Sequence, residues 1–343
     1  IFTVPAKKGD ARNLTRTDGV HERYPAWSPD GSRIAYFSDA SGEYQLMIQD
    51  QMGEKPAEAI SPGEPSFYFY PKWSPDSKKI AYTDKRLNLW VMDLSTKKPV
   101  KVATDAYGPI LGEPAMAPAW SPDGKWLAYS RLLDNHLRAV FAYELGTGRT
   151  IQVSDGRSDA VSPAFSRDGK HLFFAASTNV GLRTAWLDMT SYDRTLKRNL
   201  YVAVLSAQDP SPFAPESDEE KVKADSAATP KPAVAAVSPK KPAKKSKTEA
   251  PKADSSGVRV VIDAEGLDQR ILALPGAPAG ELDNLVATAD GELFYLETPP
   301  GADNPTLRRY DLKERKDEAY LTGVQGYDVS FDGKKVLYAA PNE

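Results

Sequence analysis

Short apolar segments in this chain repeatedly flank a tight polar turn. The first instance, Tyr24–Ser38, reads YPAWSPDGSRIAYFS, and it joins two apolar segments through Ser-Pro-Asp-Gly. Two apolar runs around such a turn predict a pair of antiparallel strands. The unit occurs six times, with its turn aspartate at Asp30, Asp76, Asp123, Asp168, Asp290 and Asp332. The spacings are 46, 47, 45, 122 and 42 residues, and a strand–turn–strand repeat with a period in the forties predicts a β-propeller.

The turn itself follows from its residue types. Pro29 fixes φ for the first corner of a type I turn, Asp30 suits the second corner, and Gly31 takes the left-handed position that lets the next strand fold back. The second copy has Ser77 where the first has Gly31. A side chain in the left-handed region costs on the order of 1 kcal/mol, so we expect a strained turn at Ser77.

The repeats predict an all-β fold, a β-propeller of four-stranded antiparallel blades, as one domain over residues 1–343. Five whole blades are expected: four near Gly19–Ser61, Pro65–Asp105, Glu113–Asp155 and Glu281–Thr322, and an interrupted fourth blade that contains the copy Ser162–Ala175 and the strand Asn199–Leu205. Half a blade precedes them in Ile1–Thr15 and another follows in Val324–Ala339, which makes about six blade-equivalents in this fragment. The two halves either unite into one composite sixth blade or belong to two blades of a seven-bladed ring.

The long spacing between Asp168 and Asp290 indicates an insertion in the fourth whole blade. Residues 207–256 hold eight prolines and many alanines and lysines, and Phe213 is their one aromatic residue. Such a composition buries too little apolar surface to fold, so we expect a disordered insertion. Its acidic start and lysine-rich middle are consistent with a partner-binding segment or with a solvated tether, and long loops add little closure entropy.

Large aromatic residues occupy one repeat position in the first four blades, at Trp27, Trp73, Trp120 and Phe165. A ring of aromatics at one position favours packing between blades over a ligand cage. The strand after each turn carries a continuous apolar run such as Ile34–Phe37, which is typical of strands buried on both faces.

Composition narrows the class of function only slightly. The formal net charge of −3 gives no overall attraction to nucleic acid or to an anionic membrane. The absence of cysteine excludes disulfides, thiol chemistry and cysteine metal sites. No apolar run approaches the roughly 18 residues that a membrane span needs. The chain starts at Ile1 in what reads as the middle of a sheet, so we interpret it as a piece of a longer polypeptide.

The sequence predicts no catalytic, cofactor-binding or metal-binding residues in this piece. His21, His136 and His171 lie far apart and lack metal-ligand spacing. No nucleophile elbow or phosphate-binding glycine loop is present. The turn aspartates are spread around a ring by the repeat and are not expected to meet as an acid/base pair.

A propeller offers instead a central channel and the loops at its two mouths. Residues just before each inner strand approach the axis, and we expect channel-lining positions at His21, Glu22, Arg23, Tyr68, Met116, Arg157, Asp159 and Asp328. This mixture of charged and aromatic residues suits a peptide or another extended polar ligand. The alternative is a purely structural role, in which these residues cap the ends of the blades.

The blades resemble TolB-like and WD-repeat-like propellers, a likeness that specifies the fold and not the function. A more specific likeness lies outside the repeat. The stretches IFTVPAKKGDARNLTRTDGVHERYPAWSPDG, NLYVAVLSAQDPSPFAPESDEEK, EGLDQRILALP and GELFYLE resemble the bacterial tricorn protease homologues, and together they flank or interrupt most of the chain.

This resemblance implies the second propeller of such a protein, which is seven-bladed in the intact family member. It implies a downstream PDZ-like domain and a serine peptidase core in the same chain, oligopeptide substrates, and a homo-oligomer in the cytoplasm. A signal peptide before Ile1 would instead give a periplasmic protein. The propeller would then form a channel that admits or filters peptides. The family's catalytic positions have no counterpart in these residues, and the lysine-rich insertion departs from the compact archaeal pattern.

Two other functions stay open at this point. One is a TolB-like scaffold for protein–protein contacts without enzymatic activity. The other is a propeller that caps a prolyl-oligopeptidase hydrolase domain, although the likeness to a second propeller disfavours it.

Overall fold

The computed structural model of the chain describes residues 1–5, 7–106, 116–177, 197–215, 257–288 and 291–340. The chain divides into two units. The first comprises Ile1–Pro212 and Ser255–Glu343, and the second comprises Phe213–Asp254, of which only residues 213–215 are described. Most of the predicted insertion, residues 216–256, therefore lies outside the described residues.

The described part of the first unit contains seven antiparallel sheets, and in each of them the strands are adjacent in chain order. Blade 1 contains β3–β6: Glu22–Trp27, Arg33–Ser38, Gln45–Asp50 and Glu58–Ile60. Blade 2 contains β7–β10: Tyr68–Trp73, Lys79–Asp84, Asn88–Asp93 and Lys98–Thr104. Blade 3 contains β11–β14: Ala119–Trp120, Trp126–Leu132, Arg138–Glu144 and Thr150–Gln152.

The later blades repeat this plan. Blade 4 contains β15–β18: Asp159–Phe165, His171–Ser177, Asn199–Val204 and Ile271–Ala273, with a 3-10 turn at Leu267–Arg270 before its last strand. Blade 5 contains β19–β22: Glu281–Ala287, Glu292–Thr298, Thr306–Asp311 and Lys316–Thr322. The predicted all-β fold of four-stranded blades is confirmed.

Two hairpins complete the described sheets. The N-terminal hairpin pairs β1 (Phe2–Thr3) with β2 (Arg12–Asn13), and the C-terminal hairpin pairs β23 (Gly326–Val329) with β24 (Val336–Ala339). They form two separate two-stranded sheets. The composite sixth blade, one of the two arrangements that the sequence allowed, is therefore not present among the described residues.

The repeated turn is built as its residue types dictate. The Gly31 N–H donates to the Ser28 carbonyl over 2.8 Å, and Gly31 has φ +69°. The Ser28 hydroxyl donates to Asp30 Oδ1 over 2.6 Å and accepts the Arg33 N–H over 2.9 Å. The same serine–aspartate network recurs in the turns that contain Asp76, Asp123, Asp168 and Asp332. Asp290 lies outside the described residues.

The predicted strain at Ser77 is confirmed, because this residue has φ +56°. The Ser77 side chain also makes a hydrogen bond between blades. Ser77 is buried, its hydroxyl oxygen accepts the Asp30 N–H over 3.3 Å, and its carbonyl accepts Arg33 Nη2 over 2.6 Å. These bonds join the turns of blades 1 and 2, and the first of them would be absent with glycine at this position.

Apolar side chains fill the space between consecutive blades. Phe37 of blade 1, for example, stacks on Tyr68 of blade 2 with ring centroids 5.6 Å apart and meets the Tyr82 ring edge-on at 5.7 Å. The Tyr82 hydroxyl donates to the Pro62 carbonyl over 2.6 Å, so its polar end is also satisfied. The run Ile34–Phe37 is buried throughout, as expected for a strand covered on both faces.

The repeated tryptophans join one blade to the next, with one exception. Trp73 Nε1 donates to the Ala26 carbonyl over 2.9 Å, and Trp120 Nε1 donates to the Lys72 carbonyl over 3.0 Å. Each bond runs to the inner strand of the preceding blade. Trp27 is 52% exposed, which corrects the expectation that it is packed between blades. The N-terminal hairpin before blade 1 packs against β4 and β5 through Leu14 and offers no inner strand to Trp27.

Candidate functional site

The inner strands β3, β7, β11, β15, β19 and β23 all run in the same sense through their blades. We call the end at which they begin the start face, and the end that carries the repeated turns the turn face. Neighbouring inner strands contact each other directly, β3 with β7, β11 with β15, and β15 with β19. The candidate site is the space inside these strands together with its rim on the start face.

Blades 1–5 each have a non-glycine residue in the left-handed region at the same repeat position, within the inner strand or, in blade 3, just before it. These residues are Tyr24, Tyr70, Ala117, Ser162 and Asn284, with φ between +29° and +56°. The pairing with the second strand shifts at this position in blades 1, 2, 4 and 5. A bulge re-aims the side chains that follow it, and backbone strain is concentrated at functional sites.

The bulge residues of adjacent blades meet one another. The rings of Tyr24 and Tyr70 lie 4.5 Å apart between centroids. The Asn284 N–H donates to the Ser162 hydroxyl over 3.2 Å, and the Tyr327 hydroxyl donates to the Asn284 carbonyl over 2.5 Å. The strained positions therefore connect blades 1 and 2 through aromatic rings, and blade 4 to blade 5 and the C-terminal hairpin through hydrogen bonds.

A lysine and an aspartate from sheets that are not consecutive in the chain lie close enough for their charges to interact. Lys72 of blade 2 and Asp328 of the C-terminal hairpin occupy the same repeat position, and both are exposed. Desolvation by the surrounding protein lowers the pKa of Lys72, and the Asp328 carboxylate opposes that shift. Lys72 is exposed to water, while protein around it removes part of its hydration. This combination fits a side chain in a water-accessible space with strands on several sides.

The predicted lining residues separate into three groups. His21, Arg157 and Asp328 are exposed, Glu22 and Arg23 are half-buried, and Tyr68, Met116 and Asp159 are buried. His21 Nε2 lies 3.2 Å from Arg23 Nη2, and its Nδ1 lies 3.5 Å from the Tyr44 hydroxyl. Glu22 accepts hydrogen bonds from the hydroxyls of Thr15 (2.6 Å) and Thr17 (2.9 Å), which hold its carboxylate toward the N-terminal hairpin.

The three buried residues belong to the packing between blades. Tyr68 is 4% exposed, stacks on Phe37 and donates its hydroxyl to the Glu64 carbonyl. Met116 packs into the core between blades 2 and 3. These positions do not face the central space.

Asp159 is the centre of a buried ion cluster that joins blades 3 and 4. Its carboxylate accepts Arg138 Nε and Nη2, each at 2.9 Å, and Arg198 Nη2 at 3.0 Å. Burial alone would raise the pKa of Asp159, but the Arg138 and Arg198 guanidiniums outweigh it and lower that pKa. The cluster therefore holds two blades together and has an evident structural role.

Sequence reasoning missed Tyr70 and Lys72, which are the exposed inner-strand residues of blade 2. The dipeptide Tyr70-Pro71 after two aromatic residues could have indicated them, because proline within a strand marks a bulge or an edge. The prediction took the residues at the start of the inner strand as lining, whereas in blade 2 the exposed side chains lie further along β7, at Tyr70 and Lys72.

One serine, aspartate and histidine do come together, at Ser166, Asp168 and His171, but they form the repeated turn. The Ser166 hydroxyl donates to Asp168 over 2.5 Å and accepts the backbone N–H of His171 over 2.9 Å. His171 Nδ1 lies 3.9 Å from Asp168, and burial lowers the pKa of the imidazole. The same turn forms elsewhere without histidine, so these atoms are a structural network.

The described residues also bear on metal binding and on membrane insertion. Within the described ranges, no group of three or more His, Cys, Asp or Glu side chains is arranged to hold a metal ion. No helix of the described residues has the length and the apolar character to cross a membrane.

Comparisons with known proteins agree with this architecture. Tricorn protease homolog 1 of Streptomyces coelicolor is 27% identical over 98% of this chain, which spans 31% of that protein. Putative tricorn protease homolog 2 of the same organism is 26% identical over 54% of this chain, and the match covers 15% of its length. The chain thus spans less than a third of the curated relatives that it matches.

Among solved structures, the crystal structure of the tricorn protease superposes with a TM-score of 0.69 at 15% identity. The match covers 96% of this chain and 29% of that one. TolB from Agrobacterium tumefaciens superposes with a TM-score of 0.50 at 14% identity, over 96% of this chain and 94% of that one. At such identities these likenesses show the propeller fold alone. The family described as tricorn protease second beta propeller domain matches residues 1–343, and the chain therefore belongs to that family.

Proposed function

We propose that this chain is the substrate-admitting propeller of a tricorn-like serine peptidase. Its central space would admit or filter oligopeptides for a peptidase core elsewhere in the same protein. The catalytic serine, a PDZ-like domain, assembly into a homo-oligomer and a cytoplasmic location belong to this proposal. Family membership and the names of the curated relatives support it.

The observation that supports the proposal is the exposure of two opposite charges, Lys72 and Asp328, at one repeat position of blade 2 and of the C-terminal hairpin. A peptide has a polar backbone and side chains of mixed character, so a suitable passage offers charged and apolar surface together. The inner strands do so, with Lys72 and Asp328 beside the exposed Tyr70 ring. An apolar cavity would favour a lipid, and a purely charged one would favour an ion.

The proposal can be tested by narrowing the passage in the full-length protein. The chain has no cysteine, so Lys72→Cys introduces a single thiol in it for a bulky maleimide. We expect the label at this position to lower hydrolysis of oligopeptides several-fold, because it occupies the space through which they pass. Comparison of the labelled with the unlabelled Lys72→Cys protein separates the effect of the bulky label from that of losing the lysine.

The matched control is Lys313→Cys with the same label, since Lys313 is an exposed residue in the turn between the outer strands of blade 5. Full hydrolysis by the labelled Lys72→Cys protein would contradict passage through this space. A full-length protein without a peptidase core would instead favour a scaffold for protein–protein contacts.

A further inference from the structure

Five aromatic side chains gather on the start face of blades 1 and 2. This aromatic platform consists of Tyr24, Tyr44, Phe67, Phe69 and Tyr70. The Tyr24 ring lies 4.5 Å from Tyr70 and 6.0 Å from Phe69, and the Tyr44 ring lies 5.5 Å from Phe67. Phe67 is 47% exposed and Tyr70 42% exposed. Because their neighbours are also aromatic, the two exposed rings are held in place by packing and remain open to a ligand.

Cationic groups border the platform. Lys85 Nζ lies 5.0 Å from the centroid of the Phe67 ring. Arg23 Nη2 lies 3.2 Å from His21 Nε2, where the imidazole nitrogen is the acceptor. Within the described ranges, neither Arg23 nor Lys85 forms an ion pair with a carboxylate. The platform therefore combines exposed aromatic surface with two cations that are available to a partner.

The chemistry of the platform defines its ligand. Exposed rings gain from stacking on another aromatic side chain, and ring pairs contribute beyond the area that they bury. Unpaired guanidinium and ammonium groups favour carboxylates, and guanidinium binds them through charge-assisted hydrogen bonds. The occupant that satisfies both is a peptide with an aromatic residue beside an acidic one.

We propose that the aromatic platform selects peptides in which an aromatic side chain is adjacent to Asp or Glu and binds them before they enter the central space. This inference rests on the proposed function, since it names the substrate class of the same passage. Two members of the platform, Tyr24 and Tyr70, are the bulge residues of the inner strands β3 and β7, which connects the platform to the proposed passage.

The test is direct binding of fluorescent decapeptides to the 343-residue chain, measured by anisotropy. Three probes are compared: an acidic peptide with two phenylalanines, the same peptide with alanine for phenylalanine, and the same peptide with lysine for the acids. We expect the first to bind the wild-type chain at least about tenfold more tightly than the other two. Phe67→Ala and Tyr70→Ala should each weaken its binding about tenfold, as for exposed aromatic anchors.

Two further variants separate the contribution of the aromatic rings to binding from that of the positive charge. Trp27→Ala removes a comparably exposed aromatic side chain on the turn face and should leave binding unchanged. Arg23→Gln should reduce the preference for the acidic probe over the lysine probe and also the salt dependence of binding, while the preference for phenylalanine remains.

The outcomes distinguish this inference from the proposed function. If the chain binds all three probes equally, or if Phe67→Ala and Tyr70→Ala bind the acidic aromatic probe like the wild type, the platform is not the selecting surface. Passage of peptides would still stand, because the Lys72 labelling experiment tests it separately. If the full-length protein also hydrolyses peptides normally with label at Lys72, both ideas are overturned.

Discussion

Replacing Asp159 by Asn should strongly destabilise the chain, because it leaves the buried Arg198 and the half-buried Arg138 without their counter-ion. Arg198 and Asp159 are 6% and 7% exposed, and the carboxylate accepts from both Arg138 and Arg198. Asparagine has nearly the same shape, so the change removes charge without opening a cavity. Removing one partner of a buried ion cluster costs about 3–5 kcal/mol, and we expect a loss of this size in the free energy of unfolding.

A second buried aspartate, Asp105, serves as a matched control, because its replacement is expected to have no effect on stability or to increase it. Asp105 is 8% exposed, and its Oδ1 accepts the N–H groups of Leu132 and Ala106, each over 2.9 Å. Burial raises the pKa of Asp105, although these two bonds oppose the shift. Its charge therefore costs stability at neutral pH, and an amide oxygen can keep both bonds. We expect Asp105→Asn to leave stability unchanged or to raise it by up to about 1 kcal/mol.

Urea unfolding at pH 7, followed by tryptophan fluorescence, measures both variants. The pH dependence provides an independent readout. The lowered pKa of Asp159 means that its contribution is complete above its unfolded pKa, near 3.8, and is lost as the pH falls through the folded pKa. The wild type should therefore lose stability below about pH 4 more steeply than Asp159→Asn. A loss under about 1 kcal/mol for Asp159→Asn at pH 7 would refute the reasoning, since it would mean that water solvates both arginines.

Three further results are expected from the same architecture. Trp73→Phe should lower the free energy of unfolding by about 1–3 kcal/mol, because it removes the bond to blade 1 and part of a buried ring, whereas Trp27→Phe should change it by less than about 0.5 kcal/mol. Gly31→Ala should cost about 1–2 kcal/mol from its left-handed φ alone, compared by thermal unfolding with Gly146→Ala, where φ is ordinary. The isolated chain should not hydrolyse peptides in a fluorogenic assay, and turnover by it would contradict the prediction that this piece carries no catalytic residues.

Sequence patterns located the blades well because their boundaries depend on local chemistry. The predicted fifth blade, Glu281–Thr322, has the bounds of β19–β22. The left-handed φ of Ser77 follows from the position of Gly31 in the first copy. In both cases the relevant interactions lie within a few residues of one turn, so alternation and turn residues are sufficient.

The lining of the central space was less accessible to such reasoning, because a bulge changes which residues face it. The extra residue at Tyr70 shifts the pairing of β7 with β8 between Phe69 and Lys72, so regular alternation from Tyr68 does not predict which later side chains are exposed. The cluster at Asp159 was hidden for another reason. Arg198 lies 39 residues further along the chain, beyond the strand β16, and no local pattern links the two.

The bulges also decide how an extended peptide can interact with the inner strands. Proline follows the left-handed residue in four blades, at Pro25, Pro71, Pro118 and Pro163. Each of these inner strands thus lacks one N–H donor at the proline. The backbone is also bent there by the left-handed residue that precedes it. Regular edges invite an added strand, whereas proline and bulges prevent it. On the proposed function, a peptide against these strands would find side chains to touch but no continuous backbone ladder to join, which would allow brief contact and release instead of β-sheet capture.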